Sequence, residues 1–401
     1  MGFLIVQTTF RRAQFQAGWR VMGEGLLPAV ETAWITERAA ALGFDLCGIA
    51  QAEEFPELQN YSAWIDAGYA GEMKYLKDPR RLDPRESWPG VQSIVVCALN
   101  YNSRLPYSTE VNSASEGKVA GWISRYAWGD DYHEALWERL NLLIAEMRAH
   151  FPEPFEARGY ADTGPIHERA AAKHAGLGWL GKNTLLINQA KGSWLFLGAV
   201  LTSLPLTPTL GPLGAPPPDR CGSCTRCLDA CPTQAIVEPY VLDATRCISY
   251  LTIELRGAIR EDLREPMGRH VFGCDICQDV CPWNRKSPRT ELREFQPRRV
   301  GADQADSCTL FQPDLLNLAR MSDAEFHEGF RGSPIKRTKR RGLLRNACIA
   351  LGNSRLEPKS ASYGEIIDVL QQLGKTEDEV VAESARWALS RILSGSGRAR
   401  E

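Results

Sequence analysis

The sequence has no uninterrupted run of about 18 apolar residues, the length a helix needs to cross a bilayer, so no membrane span is expected. It has almost no charge bias. The formal net charge is −2, which offers no general attraction to a polyanion, so any nucleic-acid face must be a local patch. It lacks a G-x-G-x-x-G turn between a strand and a helix, so a dinucleotide site of that type is excluded. Arg11-Arg12 matches the pair that opens a twin-arginine export signal. However, Gln14, Gln16, Arg20 and Glu24 interrupt the next stretch before an apolar region can form. Export is therefore not expected. A cytoplasmic location is, with residues 1–28 as an extension ahead of the folded part.

What the sequence has in excess is cysteine, with 12 in 401 residues. Disulfide scaffolds are usually short chains without a large core, whereas this length suits two or three domains with a sizeable one. Eight of the cysteines crowd between Cys221 and Cys281, which points to a metal site in a reducing compartment. Cys47, Cys97, Cys308 and Cys348 lie in largely apolar contexts and read as buried, inert thiols.

The crowded eight are ordered. Cys221-x2-Cys224-x2-Cys227-x3-Cys231-Pro232 is the run of bacterial two-cluster ferredoxins, in which the fourth cysteine ligates the other cluster. A second run, Cys274-x2-Cys277-x3-Cys281-Pro282, has Val271 where its first cysteine would stand, and Cys247 upstream supplies the missing thiolate. The cross-over then gives one [4Fe–4S] cluster to Cys221, Cys224, Cys227 and Cys281. It gives the other to Cys231, Cys247, Cys274 and Cys277. Four-thiolate zinc sites are the alternative, but they have no need of the Cys-Pro ends. Two such clusters conduct single electrons and transform nothing themselves, so the rest of the chain must hold the acceptor.

Upstream, helix and strand signals alternate. Glu31–Leu42 reads as a helix stopped by Gly43, and Tyr132–Ala149 as an amphipathic helix. Ser93–Leu99 and Ser193–Leu201 read as buried strands. This is an α/β domain, assigned to residues 29–210. Pro205, Pro208, Pro212 and Pro216-Pro217-Pro218 mark its boundary with the cysteine-rich domain, 211–290. Residues 291–401 read as helical. There an Ala-x-x-Ala-Leu pattern at Ala347–Leu351 returns at Ala385–Leu389, 38 residues on, as in HEAT-like repeats, although two unrelated amphipathic helices would read alike. Six of the ten residues 336–345 are basic. The run is either a solvated helix face or a phosphate-binding patch.

Several ordered motifs resemble those of the epoxyqueuosine reductases. They are Tyr75-Leu76, Arg81-Leu82-Asp83-Pro84, Arg125–His133, Ala161–Pro165, Ala175–Thr184, Cys247–Thr252 and Arg345-Asn346 ahead of Ala350–Asn353. The resemblance runs from about Glu31 to Leu393. It implies a nitroreductase-like α/β domain that binds cobalamin, a bacterial-ferredoxin-like domain with two [4Fe–4S] clusters, and C-terminal α-helical HEAT-like repeats. The implied reaction is reduction of epoxyqueuosine to queuosine at the wobble position of tRNA anticodons, the last step of queuosine biosynthesis, at a cost of two electrons and two protons. It further implies a monomer that draws electrons from a flavodoxin- or ferredoxin-type donor.

Residue by residue, the resemblance makes Asp162 the general acid and a cobalamin neighbour. An acid at neutral pH needs a raised pKa, so an apolar site or a nearby anion is expected around it. Asp162-Thr163-Gly164-Pro165 also reads as a helix start with Asp162 as its cap. Arg81, Ser124, Leu186, Leu197 and Ser249 fall at cobalamin-contact positions, and Arg81 would otherwise be a surface ion-pair partner. Arg256, Lys336, Arg337, Lys339, Arg340, Arg341 and Arg345 are expected on the tRNA face. His133 and His167 read as packing or hydrogen-bonding residues. No Asp-x-His-x-x-Gly motif offers a lower ligand to cobalt. A corrinoid reductive dehalogenase shares the pairing of corrin domain and cluster domain, but is typically exported and has no use for a basic helical region. A plain two-cluster electron carrier would not need the Asp162 motif.

Overall fold

The structure, a computed structural model, describes residues 27–111, 114–115, 118–210, 214–300 and 308–398. Arg11-Arg12, nearly all of the 1–28 extension and the side chain of Cys308 lie outside that description.

The first body is a four-stranded sheet ordered β1 (Leu46–Gln51), β2 (Ser93–Asn100), β4 (Leu195–Thr202), β3 (Ala157–Tyr160), antiparallel at every pairing. Every residue of β2 is buried, and alternation along it explains why. Val95, Cys97 and Leu99 face α1 (Leu27–Ala41) and α2 (Tyr132–His150), while Ile94 and Val96 face the three alanines of α3 (Glu168–His174). Helices on both faces make a strand apolar throughout even when its neighbours run antiparallel. Gly48 on β1 lets α3 seat closely, since a Cβ there would lie 2.2 Å from the Ala175 carbonyl. Cys47 and Cys97 are register partners with sulfurs 3.7 Å apart, and Cys97 and Cys348 are fully buried.

In the cysteine-rich segment two short helices, Arg226–Asp229 and Ile276–Asp279, pack together. Its strand His270–Phe272 pairs in parallel with Trp122–Ile123 of the upstream segment. Asp275 reinforces that seam, accepting from Ser124 Oγ at 2.5 Å and Arg125 N at 2.8 Å. The helix α4 (Ile248–Ile253) begins at Cys247.

The C-terminal part contains α5 (Leu315–Arg320), α6 (Lys339–Gly352), α7 (Tyr363–Leu373) and α8 (Glu379–Arg398). Both Ala-x-x-Ala-Leu patterns fall on helices that pack together. A Cβ on Gly352 of α6 would lie 2.7 Å from the Trp387 ring of α8. One core joins Trp122, Trp128 and Phe272 to Leu343, Leu351 and Ala388, so the C-terminal helices are anchored to the upstream segments. Among the described residues no helix is long and apolar enough to cross a membrane.

Candidate active site

The eight cysteines gather in one region of the cysteine-rich segment. Cys281 lies within electrostatic reach of Cys221, Cys224 and Cys227, and Cys247 lies within reach of Cys231, Cys274 and Cys277. Cys277 lies within reach of Cys227 as well. Burial pushes the thiols of Cys274 and Cys277 well above their ordinary range and that of Cys281 up to about 11. Such groups stay protonated unless a cationic centre takes up their charge. Among the described residues no three His, Cys, Asp or Glu side chains converge as a single bound ion would require.

A cavity of about 2240 Å³ opens between the sheet, α4 and the segment before α6. Of the predicted cofactor residues, Arg81, Asp162, Leu197 and Ser249 line it, as does Cys247. Ser124 and Leu186 do not: Ser124 is spent on Asp275, and Leu186 is buried in the core beneath. Lys336 and Arg337 of the basic run reach the cavity, as do Tyr75, Tyr132, His133 and Glu168.

Asp162 does not cap a helix. It sits in a turn with φ 58°, and the next helix begins only at Glu168. Its side chain is 65 % exposed to the cavity. Tyr132 Oη donates to its Oδ2 at 2.8 Å, and His133 Nε2 lies 3.7 Å from the same oxygen. Burial alone would raise this carboxyl, but His133 and Tyr132 outweigh it and hold the pKa below the ordinary aspartate value. This reverses the electrostatic expectation: the neighbour that decides the shift is a cation, not an anion. For His133, burial opposes the charged ring. The carboxylates of Asp131 and Asp162 outweigh that burial and hold its pKa at about 9. Farther along the wall Glu168 is pushed up to about 7, by burial first and the Asp162 charge second. Burial and the nearby Arg81 and Arg169 push His167 down to about 3.

Sequence reasoning missed Tyr132, His133, Tyr75 and Glu168 as cavity groups. The signal for the first two was the Asp131-Tyr132-His133 string at a helix start, which sets a capping carboxylate beside an imidazole. Tyr75 is half exposed, with the Arg337 guanidinium 5.6 Å from its ring centre.

The basic run divides. Arg345 is a correction to the expected tRNA face. It is 1 % exposed, and its guanidinium donates to the carbonyls of Leu251, Leu255 and Gly257 at 2.5, 2.8 and 2.7 Å. It ties α6 to α4 and cannot meet a phosphate. Arg337, Arg340 and Arg341 are exposed or half-buried and pair with Glu254, Asp323 and Asp378. Surface pairs of this kind are worth about 0–1 kcal/mol and exchange readily for a phosphate. Arg256 donates to the Arg337 carbonyl at 2.9 Å. Among the described residues, Lys336 and Lys339 make no ion pair.

Comparison with known proteins bears on both halves of the site. The family described as "4Fe-4S double cluster binding domain" matches residues 220–284, and "Epoxyqueuosine reductase QueG, DUF1730" matches residues 81–163. The chain is 44 % identical over 333 residues to epoxyqueuosine reductase of Gloeobacter violaceus, covering 81 % of this chain and 97 % of that protein. It is 39 % identical over 357 residues to the Escherichia coli K12 enzyme of the same name, covering 88 % and 87 %. A crystal structure of epoxyqueuosine reductase with an epoxyqueuosine-modified tRNA-Tyr stem loop superposes with TM-score 0.77 and 31 % identity, over 90 % of this chain and 89 % of that one. Fold and site together define an iron–sulfur oxidoreductase with a double-cluster domain. Within that class, the chain belongs to the epoxyqueuosine reductase family.

Proposed function

We propose that this protein reduces epoxyqueuosine to queuosine in the anticodon loop of tRNA, using cobalamin supplied with electrons by two [4Fe–4S] clusters. The observation that carries this reading is the cavity itself, where Asp162 and the cluster ligand Cys247 share one wall system. The partly exposed segment carrying Cys221, Cys224 and Cys227 suits electron entry from a flavodoxin- or ferredoxin-type donor, and the set holding Cys247 suits delivery.

The cavity fits a corrin. Buried, unpartnered polar atoms stud its wall: Arg81 Nε, Ser87 Oγ, His167 Nε2 and Glu168 Oε1. Buried polar atoms are normally satisfied, and a flat ligand fringed with amides would satisfy these. Arg81 and Ser249 would hold the fringe and Leu197 the ring. Arg81 is already oriented by its bonds to the Gly164 and Ile166 carbonyls. When bound, the corrin supplies paired electrons at low potential. The chain's own residues position the epoxide, exclude water and deliver protons, Asp162 being the group placed to protonate the released oxygen.

The remaining features agree with this reading. The sheet covered by helices on both faces suits a nitroreductase-like body within 29–210, followed by the cluster domain 211–290. The close pair α6 and α8 suits a HEAT-like module in 291–401. The cations Arg256, Lys336, Arg337, Lys339, Arg340 and Arg341 suit the phosphates of a stem loop, leaving base recognition to the cavity.

The test is conversion. Protein loaded with clusters and cobalamin and reduced by titanium(III) should turn epoxyqueuosine tRNA into queuosine tRNA, read by nucleoside mass spectrometry; loaded protein without conversion would sink the reading. The basic face is tested separately. Lys336→Ala with Lys339→Ala should flatten the slope of log affinity against log salt by about 0.7–0.9 per lost phosphate contact. An unchanged slope would remove these two lysines from the interface.

A further inference from the structure

Two carboxylates flank one imidazole at the cavity wall. Asp131 Oδ1 lies 2.7 Å from His133 Nδ1, and Asp162 Oδ2 lies 3.7 Å from Nε2. The ring cannot turn away freely. Asp131 is fixed as the cap of α2, where it accepts from His133 N at 3.1 Å, and the imidazole stacks on Tyr132 with centroids 4.1 Å apart. A neutral imidazole gives one N–H. With that hydrogen on Nδ1 facing Asp131, the Nε2 lone pair would point at an ionised Asp162. The arrangement is satisfied only when a second proton lies between Nε2 and Asp162 Oδ2, on one atom or the other. Tyr132 Oη, already donating to that oxygen, favours the carboxylate form and so leaves the proton on the ring.

We propose that His133 is a positioning residue that stores the proton Asp162 hands to the epoxide oxygen, an assignment that rests on the proposed function of the cavity. The ion-pair distance must close before transfer, as such bonds commonly do when a substrate is seated. The Nε2–H bond then breaks, an O–H bond forms on Asp162, and that proton passes to the oxygen as its carbon–oxygen bond breaks. The two electrons come from the reduced cofactor. A second proton by the same route completes water as the second carbon–oxygen bond breaks and a carbon–carbon double bond forms. The groups facing this relay are Asp131 and Tyr132 on its own element, Asp162 across the cavity, Lys336 beside Asp131, and Arg337, Glu168, Arg169, Tyr75 and Tyr126 around Asp162. The direction of the shifts agrees: His133 retains its proton up to about pH 9, while Asp162 remains ionised.

The experiment uses the loaded enzyme on an epoxyqueuosine stem loop in single turnover from pH 5.5 to 9.5, with ¹³C-histidine NMR of the same samples. Wild type should hold its rate until the pH nears that of His133 and lose it above. His133→Gln should be roughly ten- to a hundred-fold slower at pH 8, with cofactor spectrum and RNA affinity intact, and should recover toward acid pH where solvent can protonate Asp162. Asp131→Asn keeps the helix cap and should move the alkaline fall to lower pH, together with the His133 titration. An ordinary His133 titration, or profiles parallel to wild type in both variants, would overturn the proposal. A wild type that converts nothing at any pH would instead overturn the functional reading, and the histidine titration would still decide where the proton is stored.

Discussion

Asp162→Asn is expected to slow single-turnover reduction of the epoxide by about 10²–10⁴-fold, the usual worth of a positioned general acid. Breaking a carbon–oxygen bond leaves charge on oxygen, and asparagine offers an N–H there but no proton to give. The substitution should leave the fold alone. Asp162 occupies a left-handed backbone position at φ 58°, which asparagine tolerates as readily as aspartate. Its side chain is open to the cavity, where it accepts from Tyr132 and faces His133 at 3.7 Å. Cobalamin binding, read from the corrin spectrum, and stem-loop affinity should therefore match wild type. Full turnover with both intact would remove Asp162 from the chemistry.

That residue also shows where the sequence is and is not legible. Its position is marked by a short motif, but its environment is not, because Tyr132 and His133 lie some thirty residues upstream and meet it only through the packing of α2 against the sheet. Asp-Thr-Gly-Pro in the sequence points to a cap; the turn instead aims the carboxylate into the cavity. The cysteines behave oppositely. Their chemistry is written in local spacing, from which the assignment of both sets, Cys247 included, is read. The basic run fails partway for a physical reason. Up to Arg341 the cations reach the surface, but from Gly342 onward α6 is covered on every side, so its pattern has no solvent face to read. Arg345-Asn346 ahead of a small apolar run was the available clue. Asn346 Nδ2 donates to the Thr252 and Val271 carbonyls at 2.8 Å each, beside the carbonyls that Arg345 satisfies. The buried pair is thus a polar clamp between the C-terminal helices and the cluster segment.

The clamp closes on α4, which leads to the second large expectation. Cys247→Ala should lower iron from about eight to about four per chain, since it removes one corner of a single four-thiolate set. Turnover driven by a protein electron donor should fall at least about a hundred-fold, because the remaining cluster has lost its neighbour at the cavity. Direct reduction of the bound corrin by titanium(III) should restore single turnover to within several-fold of wild type, since Asp162 and the cavity walls are untouched. The contrast between the two reductants separates a feed line from a structural strut. The strut interpretation is a serious competitor. From Cys247 onward α4 is bonded in four directions: Tyr250 Oη accepts from Glu72 N at 2.9 Å, Thr252 Oγ1 accepts from Gly273 N at 2.9 Å, and the Leu251 and Thr252 carbonyls receive Arg345 and Asn346. Those bonds also explain why the helix should survive the loss of one thiolate. They hold its backbone independently of Cys247, whose own place is at the N-terminal end, facing the cavity beside Ser249. If titanium(III) fails to rescue while the corrin spectrum is normal, Cys247 shapes the site rather than feeding it. If iron stays near eight, the cross-over assignment itself is wrong and another group completes the second set.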